Sequence, residues 1–344
     1  MPETIRVSSG SAILLRLMGG VLGAKPSTIY LLTYYPGKCL ANCGFCPQAR
    51  LSTSKHDLLS RVTWPAFPLR KVAVKVREAE ERGLAKRVCI QTVNYPSMLE
   101  DVQDIIDKVK SQTSIPISVC CQPISEDKIK LLAGKGIDRI GISLDAANRE
   151  LFDRIKGKAV EGPYTWETQF KALRKAVEIF GPGRVSTHLI VGLGESDRDV
   201  TSIVQTLVDM GVYPSLFAFT PIPGTMMQNH VQPQISRYRR IQIGHYLITQ
   251  RKTRWEDMKF KRDGQLDTLG VSRAELRRIV ETGKPFLTSG CPDCNRPFYN
   301  ERPSGPIYNY PRPLTSEEID TVRKQVAEDG SIDETPIPGF AKSQ

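Results

Sequence analysis

The chain has 344 residues, 40% of them hydrophobic, enough to bury one large core or two modest ones without disulfide staples. Its formal net charge is +11 and its pI about 9.3, with Lys and Arg spread along the whole length rather than gathered in a tail. This excludes a small disulfide scaffold and, with no aromatic RNP-type segment present, argues against a nucleic-acid module; an acidic partner is the expectation instead.

Residues 1–7 carry charges of both signs and show no secretory pattern. The apolar run over 12–23 is broken by Arg16 and is too short to cross a bilayer. The stretch 1–26 therefore reads as an N-terminal helical extension of a cytoplasmic protein with no membrane partner. From Ser27 the pattern becomes regular. "TIYLLTYY" (28–35) is a β-branched and aromatic strand that ends at Pro36-Gly37, ahead of a cysteine-rich loop. Strands are then expected over 87–93, 116–121, 137–145, 184–195 and 214–225. Helices alternate with them over 69–84, 97–112 (capped by Ser97), 125–136, 165–181 and 197–211. The strands read as apolar on both faces, as buried parallel strands do. Six such alternations predict an α/β fold over 27–230, a partial TIM-type (β/α)6 barrel core or an open parallel sheet, with its chemistry in the loops after the strands. Beyond it, 231–344 reads as a C-terminal extension. It has a basic amphipathic helix over 236–252, a second helix over 272–283, an irregular Pro- and Tyr-rich stretch over 289–314, and one short helix with a frayed tail from Thr315.

"CLANCGFCPQAR" puts Cys39, Cys43 and Cys46 at C-x3-C-x2-C spacing, among eight cysteines in all. In a reducing compartment such a group reads as metal-ligating or catalytic rather than as a disulfide. A structural zinc site needs four ligands, and the nearest histidine, His56, is ten residues on. Three close thiolates suit a four-iron cluster with one iron left open, and the donor chemistry favours the cluster. Phe45 would pack over that loop.

The motif, an aromatic before its last cysteine, and its place after the first strand of a βα pattern together resemble the radical S-adenosylmethionine (SAM) superfamily. The resemblance implies a [4Fe-4S] cluster whose open iron chelates SAM, and a 5′-deoxyadenosyl radical that abstracts hydrogen from unactivated carbon. "CGFCPQAR", "GISLDAANRELF" and "HLIVGLGES" are similar to segments of biotin synthase and its relatives. That likeness implies Ser143 and Asp145 as the catalytic pair at the SAM ribose or the substrate, and Ile190 at adenine. Phe45, Gly192 and Thr220 stand at other strand-end positions of the cofactor site. Gln91 and Thr92 occupy the place of the usual glycine-rich segment after the second strand. Gly192 also reads as a simple tight turn.

Biotin synthase carries a second, sacrificial iron–sulfur cluster deep in its barrel, on cysteines of the second, third and fifth strands. Here Cys89 falls on the second strand and Cys120 and Cys121 on the third, but Ser186 occupies the fifth-strand position. A C-x2-C pair, Cys291 and Cys294, stands in the extension, and closing over the barrel mouth it would complete a second Fe-S cluster with Cys89 and one of Cys120 and Cys121. Buried packing as small hydrophobes is the competing reading for the strand cysteines. Of the scattered histidines, His188 lies on a lumen-lining strand.

This pattern most resembles the archaeal two-component lipoyl synthases, biotin-synthase-related proteins that work in pairs. It implies sulfur insertion into an octanoyl chain on a lipoyl carrier protein (lipoyl domain or H protein), with a second radical SAM lipoyl synthase subunit and a ferredoxin-type electron donor as partners. An acidic carrier would suit a chain of +11. Sulfur insertion on a small molecule, a radical SAM methyltransferase or RNA-modifying enzyme, and a zinc-stabilised binding protein are the alternatives.

Overall fold

A computed structural model describes residues 2–327 of the chain. The first element is a strand, β1 (Thr4–Val7), ahead of the short helix α1 (Ser9–Leu14). This corrects the helical extension expected over 1–26. Four residues are too few to show a period, yet Ile5 and Val7 are fully buried because β1 pairs antiparallel with β2 (Thr28–Thr33), Ile5 opposite Thr33. A hairpin of Leu58–Leu59 and Val62–Thr63 follows, and then β3 (Ala66–Pro68), which covers the other edge of β1.

The alternation expected from the sequence then runs its course. Helix α2 (Leu69–Glu81) leads to β4 (Arg87–Gln91), α3 (Met98–Lys110) to β5 (Ile117–Cys121), and α4 (Glu126–Gly134) to β6 (Arg139–Ile142). Helices α5 (Arg149–Ile155) and α6 (Trp166–Phe180) lead to β7 (Val185–Val191), and α7 (Asp197–Asp209) to β8 (Val212–Ala218). The sheet order is β8-β7-β6-β5-β4-β2-β1-β3, so the six parallel strands are spatial neighbours in sequence order, as unbroken right-handed βα crossovers place them. The sheet does not close, and β8 and β3 are its free edges. Ser97 precedes α3 without a side-chain capping bond, whereas Thr165 and Ser196 cap α6 and α7 through reciprocal boxes.

Only one face of these strands is apolar throughout, contrary to the sequence reading. Val88, Ile90, Val119, Ile140, Ile142, Leu189 and Val191 are buried on the helix side. The alternate residues Cys89, Gln91, Cys120, Ser143, Ser186 and His188 line a cavity on the inner side. The register carries this inner row across the sheet: Tyr30 opposite Cys89, Gln91 opposite Cys120, Cys120 opposite Gly141, Gly141 opposite Ser186.

The extension packs directly on this core through α8 (Ile235–Thr249), α9 (Arg273–Glu281) and α10 (Ser316–Ala327). Helix α8, expected to be amphipathic, is buried at ten of its fifteen residues, because it lies between α7 on one side and α10 and the turn Lys284–Phe286 on the other. Its arginines face inward. Arg237 and Arg240 pair with the buried Asp197 at the start of α7, at 2.9 and 2.8 Å. Arg239 is fully buried, donating to Tyr308 O and Gln242 Oε1 (both 2.7 Å), Gln325 Oε1 (2.9 Å) and Ile307 O. The tail expected after α10 lies outside the described residues.

Arg239 thus ties the irregular stretch to α8 and α10, and its loss would take a donor from Ile307 O and Gln325 Oε1 and leave Tyr308 O to Gln242 Nε2. Arg239→Met is expected to destabilise the fold by about 2–4 kcal/mol in urea unfolding. Faster amide exchange centred on residues 307–310 should accompany that loss.

Candidate active site

After β2 the chain turns at Pro36-Gly37 into the cysteine loop, which folds on itself. Cys39 N–H donates to Gln48 O (2.9 Å), Cys46 N–H to Cys43 O (3.0 Å) and Arg50 N–H to Ala41 O (2.8 Å). Three neighbouring loops hold it. Gly44 N–H donates to Ile155 O (2.7 Å), Met227 N–H to Gly44 O (3.1 Å), and Asn42 Nδ2 to Val160 O (2.9 Å). Asn94 N–H donates to Cys39 Sγ at 3.2 Å, and Asn94 Nδ2 to Tyr164 Oη at 2.9 Å. Neither Asn94 nor Tyr164 belongs to a recognisable spacing, so no local pattern points to them.

Asp145 stands just past β6 with φ +69°, a left-handed backbone fixed by its N–H to His188 O (2.8 Å) and by Ile190 N–H to its own carbonyl (2.9 Å). Its carboxylate pairs with Lys156 Nζ at 2.6 Å, and both side chains are buried. Lys156 Nζ also donates to Ser143 O, and the rings of Phe152 and Tyr164 lie 5.8 and 5.5 Å from it. Sequence reasoning singled out Asp145 and missed its partner. A lysine in "LFDRIKGK" reads as a solvated helix end until the fold buries it. Ser143 Oγ lies 3.0 Å from His188 Nδ1, and burial drops the His188 pKa to about 4.

All eight cysteines are free thiols, and all eight line one cavity of about 220 Å³. Cys39, Cys43 and Cys46 stand at its outer end, where the strands finish. At the inner end Cys89 Sγ is 3.9 Å from Cys120 Sγ, and Gln91 Nε2 donates to Cys89 Sγ at 3.1 Å. This makes Cys120 the third-strand cysteine whose thiol meets Cys89, while Cys121 also lines the cavity. Cys291 Sγ lies 3.9 Å from Ser118 Oγ, and Cys294 Sγ 3.4 Å from Tyr30 Oη.

The Cys291–Cys294 loop does not close the mouth formed by the strand ends, as the sequence suggested. It enters from the opposite, N-terminal end of the sheet. Arg87 Nε and Thr28 Oγ1, at the starts of β4 and β2, donate to Pro292 O and Asp293 O (both 3.2 Å), and Ser27 N–H donates to Asn295 Oδ1 (3.0 Å). Arg296 follows, its guanidinium 3.8 Å from the centre of the Phe217 ring on the cavity wall.

Burial raises the thiols, Cys46 to about 12, Cys121 to about 12 and Cys291 to about 11, with Cys39, Cys43 and Cys294 also pushed up. For Cys89 the largest cause is its contact with Cys120, with burial second. Such thiols are poor nucleophiles, and binding metal would release their protons. Among the described residues no three His, Cys, Asp or Glu side chains close around a single ion. An iron–sulfur cluster, several ångströms across, takes thiolates set wider apart than one zinc ion does, so the donor set fits clusters. Cys39, Cys43 and Cys46 would hold one with an iron left open. Cys89, Cys120, Cys291 and Cys294 would be the donors for a second one at the other end.

Phe45, Gln91, Thr92, Ile190 and Thr220 all line the cavity. Thr220 Oγ1 donates to Asn300 O at 2.8 Å, joining the extension to the rim. Gly192 is not a cavity residue. It has φ +104° and accommodates the turn in which Glu195 accepts from Gly192 N–H (2.8 Å) and Leu193 N–H (2.9 Å), and a Cβ there would meet Pro233 at 2.7 Å.

Residues 34–207 match the family model of the Radical SAM superfamily. The biotin synthase of Sulfurihydrogenibium sp. is 28% identical over 196 residues, covering 55% of this chain and 54% of that protein. The biotin synthase of Persephonella marina is 25% identical over 216 residues, covering 62% and 60%. An uncharacterized protein of Methanocaldococcus jannaschii is 28% identical over 211 residues, covering 59% and 51%. The match thus spans little more than half the length of these relatives. In fold, the chain is similar to the FeFe-hydrogenase maturase HydG from Carboxydothermus hydrogenoformans, with a TM-score of 0.50 at 17% identity, over 71% of this chain and 56% of that one. Among the described residues no helix is long and apolar enough to cross a membrane.

The neutral His188 generates a pH prediction. Its folded pKa of about 4 lies below the ordinary 6.5, so the unfolded chain takes up a proton that the folded one refuses. Stability of the metal-free protein should therefore fall as pH drops from about 6.5 to about 4. His245, also lowered to about 4 by burial, adds to the same slope. Urea unfolding across that range should show a shallower slope in His188→Asn.

Proposed function

The chain belongs to the radical SAM superfamily, and on that footing we propose that it inserts sulfur into the octanoyl chain of a lipoyl carrier protein, a lipoyl-synthase-type reaction. The observation that carries this is the single cavity with thiols at both ends, three in the C-x3-C-x2-C loop and four around Cys89 and Cys291. When bound, a four-iron cluster with SAM supplies a 5′-deoxyadenosyl radical, and a second, sacrificial cluster supplies sulfide. The residues between the two ends would hold the substrate. Phe217, Ile190, Ile222 and Phe45 offer an apolar wall for an acyl chain. Asp145, with one carboxylate oxygen held by Lys156, and Ser143 would orient SAM or substrate.

The carrier, a second radical SAM subunit and a ferredoxin-type donor are the partners this reading requires, and the +11 net charge suits an acidic carrier. Relatives named biotin synthase support sulfur insertion as the reaction class and favour one second reading, insertion into a free small molecule. Against the biotin-synthase ligand set stands Ser186 at the fifth-strand position, with Cys291 and Cys294 supplying thiols from the extension instead.

Anaerobic reconstitution is expected to give about eight irons per chain, falling to about four in Cys291→Ala/Cys294→Ala. About four in both proteins would overturn the second cluster. With the paired subunit present, thiolation of an octanoyl-lysyl peptide supports the lipoyl reading, whereas thiolation of a free carboxylic acid alone would replace it with the small-molecule one.

A further inference from the structure

Three side chains of the inner face stand in one line across the sheet. Tyr30 on β2 is opposite Cys89 on β4, and Cys89 is opposite Ser118 on β5. Gln91 is the next inner residue of β4. Tyr30 and Ser118 are buried, and the Cys291–Cys294 loop lies against both of their hydroxyls. A Phe and an Ala would fill the same places without a hydroxyl to satisfy.

Each of these polar side chains has a donor directed at a sulfur. Backbone N–H groups and guanidinium groups donate and never accept, and this fixes where the hydroxyl protons go. Tyr30 Oη accepts from Arg296 N–H (2.9 Å), so its single proton is left for Cys294 Sγ at 3.4 Å. Ser118 Oγ accepts from Arg87 Nη1 (2.8 Å), so its proton is left for Cys291 Sγ, at the long distance of 3.9 Å. Arg87 is itself fixed by Asp138 at 2.7 Å and by Pro292 O at 3.2 Å. Gln91 Nε2 donates to Cys89 Sγ at 3.1 Å. Toward a neutral thiol such bonds are weak. A thiolate that binds metal only accepts, and a donor already aimed at it makes a charge-assisted bond without reorganising. Hydrogen bonds to the ligating sulfurs offset negative charge that grows with each added electron, and so help to set a cluster's potential.

We propose that Tyr30 and Gln91 are positioning residues of the inner site: the phenol of Tyr30 donates to Cys294 and the amide of Gln91 to Cys89, and together they make an iron–sulfur cluster on those thiols easier to reduce. This rests on the two-cluster reading given above and not on the identity of the substrate. The test uses the full chain carrying Cys39→Ala/Cys43→Ala/Cys46→Ala, so that iron reports the inner site alone. After anaerobic reconstitution, iron content is measured, and spins per iron are read by electron paramagnetic resonance at one fixed dithionite concentration, without SAM or substrate.

No iron in this parent would overturn the two-cluster reading, and the proposal with it. With about four irons bound, Tyr30→Phe and Gln91→Met are each expected to lower the ratio of reduced to oxidised cluster by about three-fold or more, at unchanged iron content. The double variant should fall further than either. Tyr30→Phe keeps the ring that packs on Tyr299, 5.3 Å between centroids, and removes only the hydroxyl. An unchanged ratio in either single variant, with its iron retained, overturns the proposal and leaves the two-cluster reading standing. If Tyr30→Phe loads less iron, Gln91→Met decides, because it leaves the loop anchored through Tyr30 Oη: a lowered ratio upholds the proposal and an unchanged one overturns it.

Discussion

Placing cysteine, serine, histidine and carboxylate side chains on the inner face of a parallel sheet takes them out of water, and each must then find a partner or a ligand. In this chain some of them find protein partners. Asp145 has Lys156, His188 has Ser143, and Cys89 has Gln91 and Cys120. The thiols are satisfied only weakly by such contacts. An inner face of this kind is expensive to maintain as packing, because a Val or Ile at Cys89 or Cys120 would fill the space without polar atoms. The thiol row makes sense as a donor set, and the rest of the fold holds that row in place.

Two devices do the holding, one at each end of the sheet. At the outer end the cysteine loop is tied to three other strand-end loops by main-chain bonds, so the position of its thiols is fixed by the βα frame rather than by its own short sequence. At the inner end the fifth-strand position is Ser186, and the extension adds two thiols by sending the Cys291–Cys294 loop in beneath β2 and β4. Arg239, buried on α8, secures the base of that extension by bonding to Ile307 O and Tyr308 O. The extension is therefore part of the site and not an appendage to the barrel.

Much of this was legible in the residues. The six parallel strands and most of the helices follow from apolar periodicity, and the C-x3-C-x2-C loop and Asp145 from spacing and strand context. The rest depends on distant contacts that leave no local mark. Strand β1 is four residues long and is a strand only because β2 and β3 flank it. The alternation of Val88, Cys89, Ile90 and Gln91 reads as apolar on both faces when cysteine counts as apolar. The basic residues of α8 read as one face of an amphipathic helix, although its arginines point inward to Asp197 and to backbone carbonyls. The end of the sheet at which the Cys291–Cys294 loop enters is a matter of topology. Lys156 acquires its role only when α5 folds against Asp145.

The central claim is that the inner thiols hold sulfur that leaves with the product. Reconstituting the protein with ³⁴S-sulfide and following a single turnover on an octanoyl-lysyl peptide, with the paired subunit present, tests it directly by mass spectrometry. The account predicts ³⁴S in the thiolated product and loss of iron from the Cys89, Cys120, Cys291 and Cys294 end. A product without ³⁴S, or a second cluster that survives turnover intact, would contradict it.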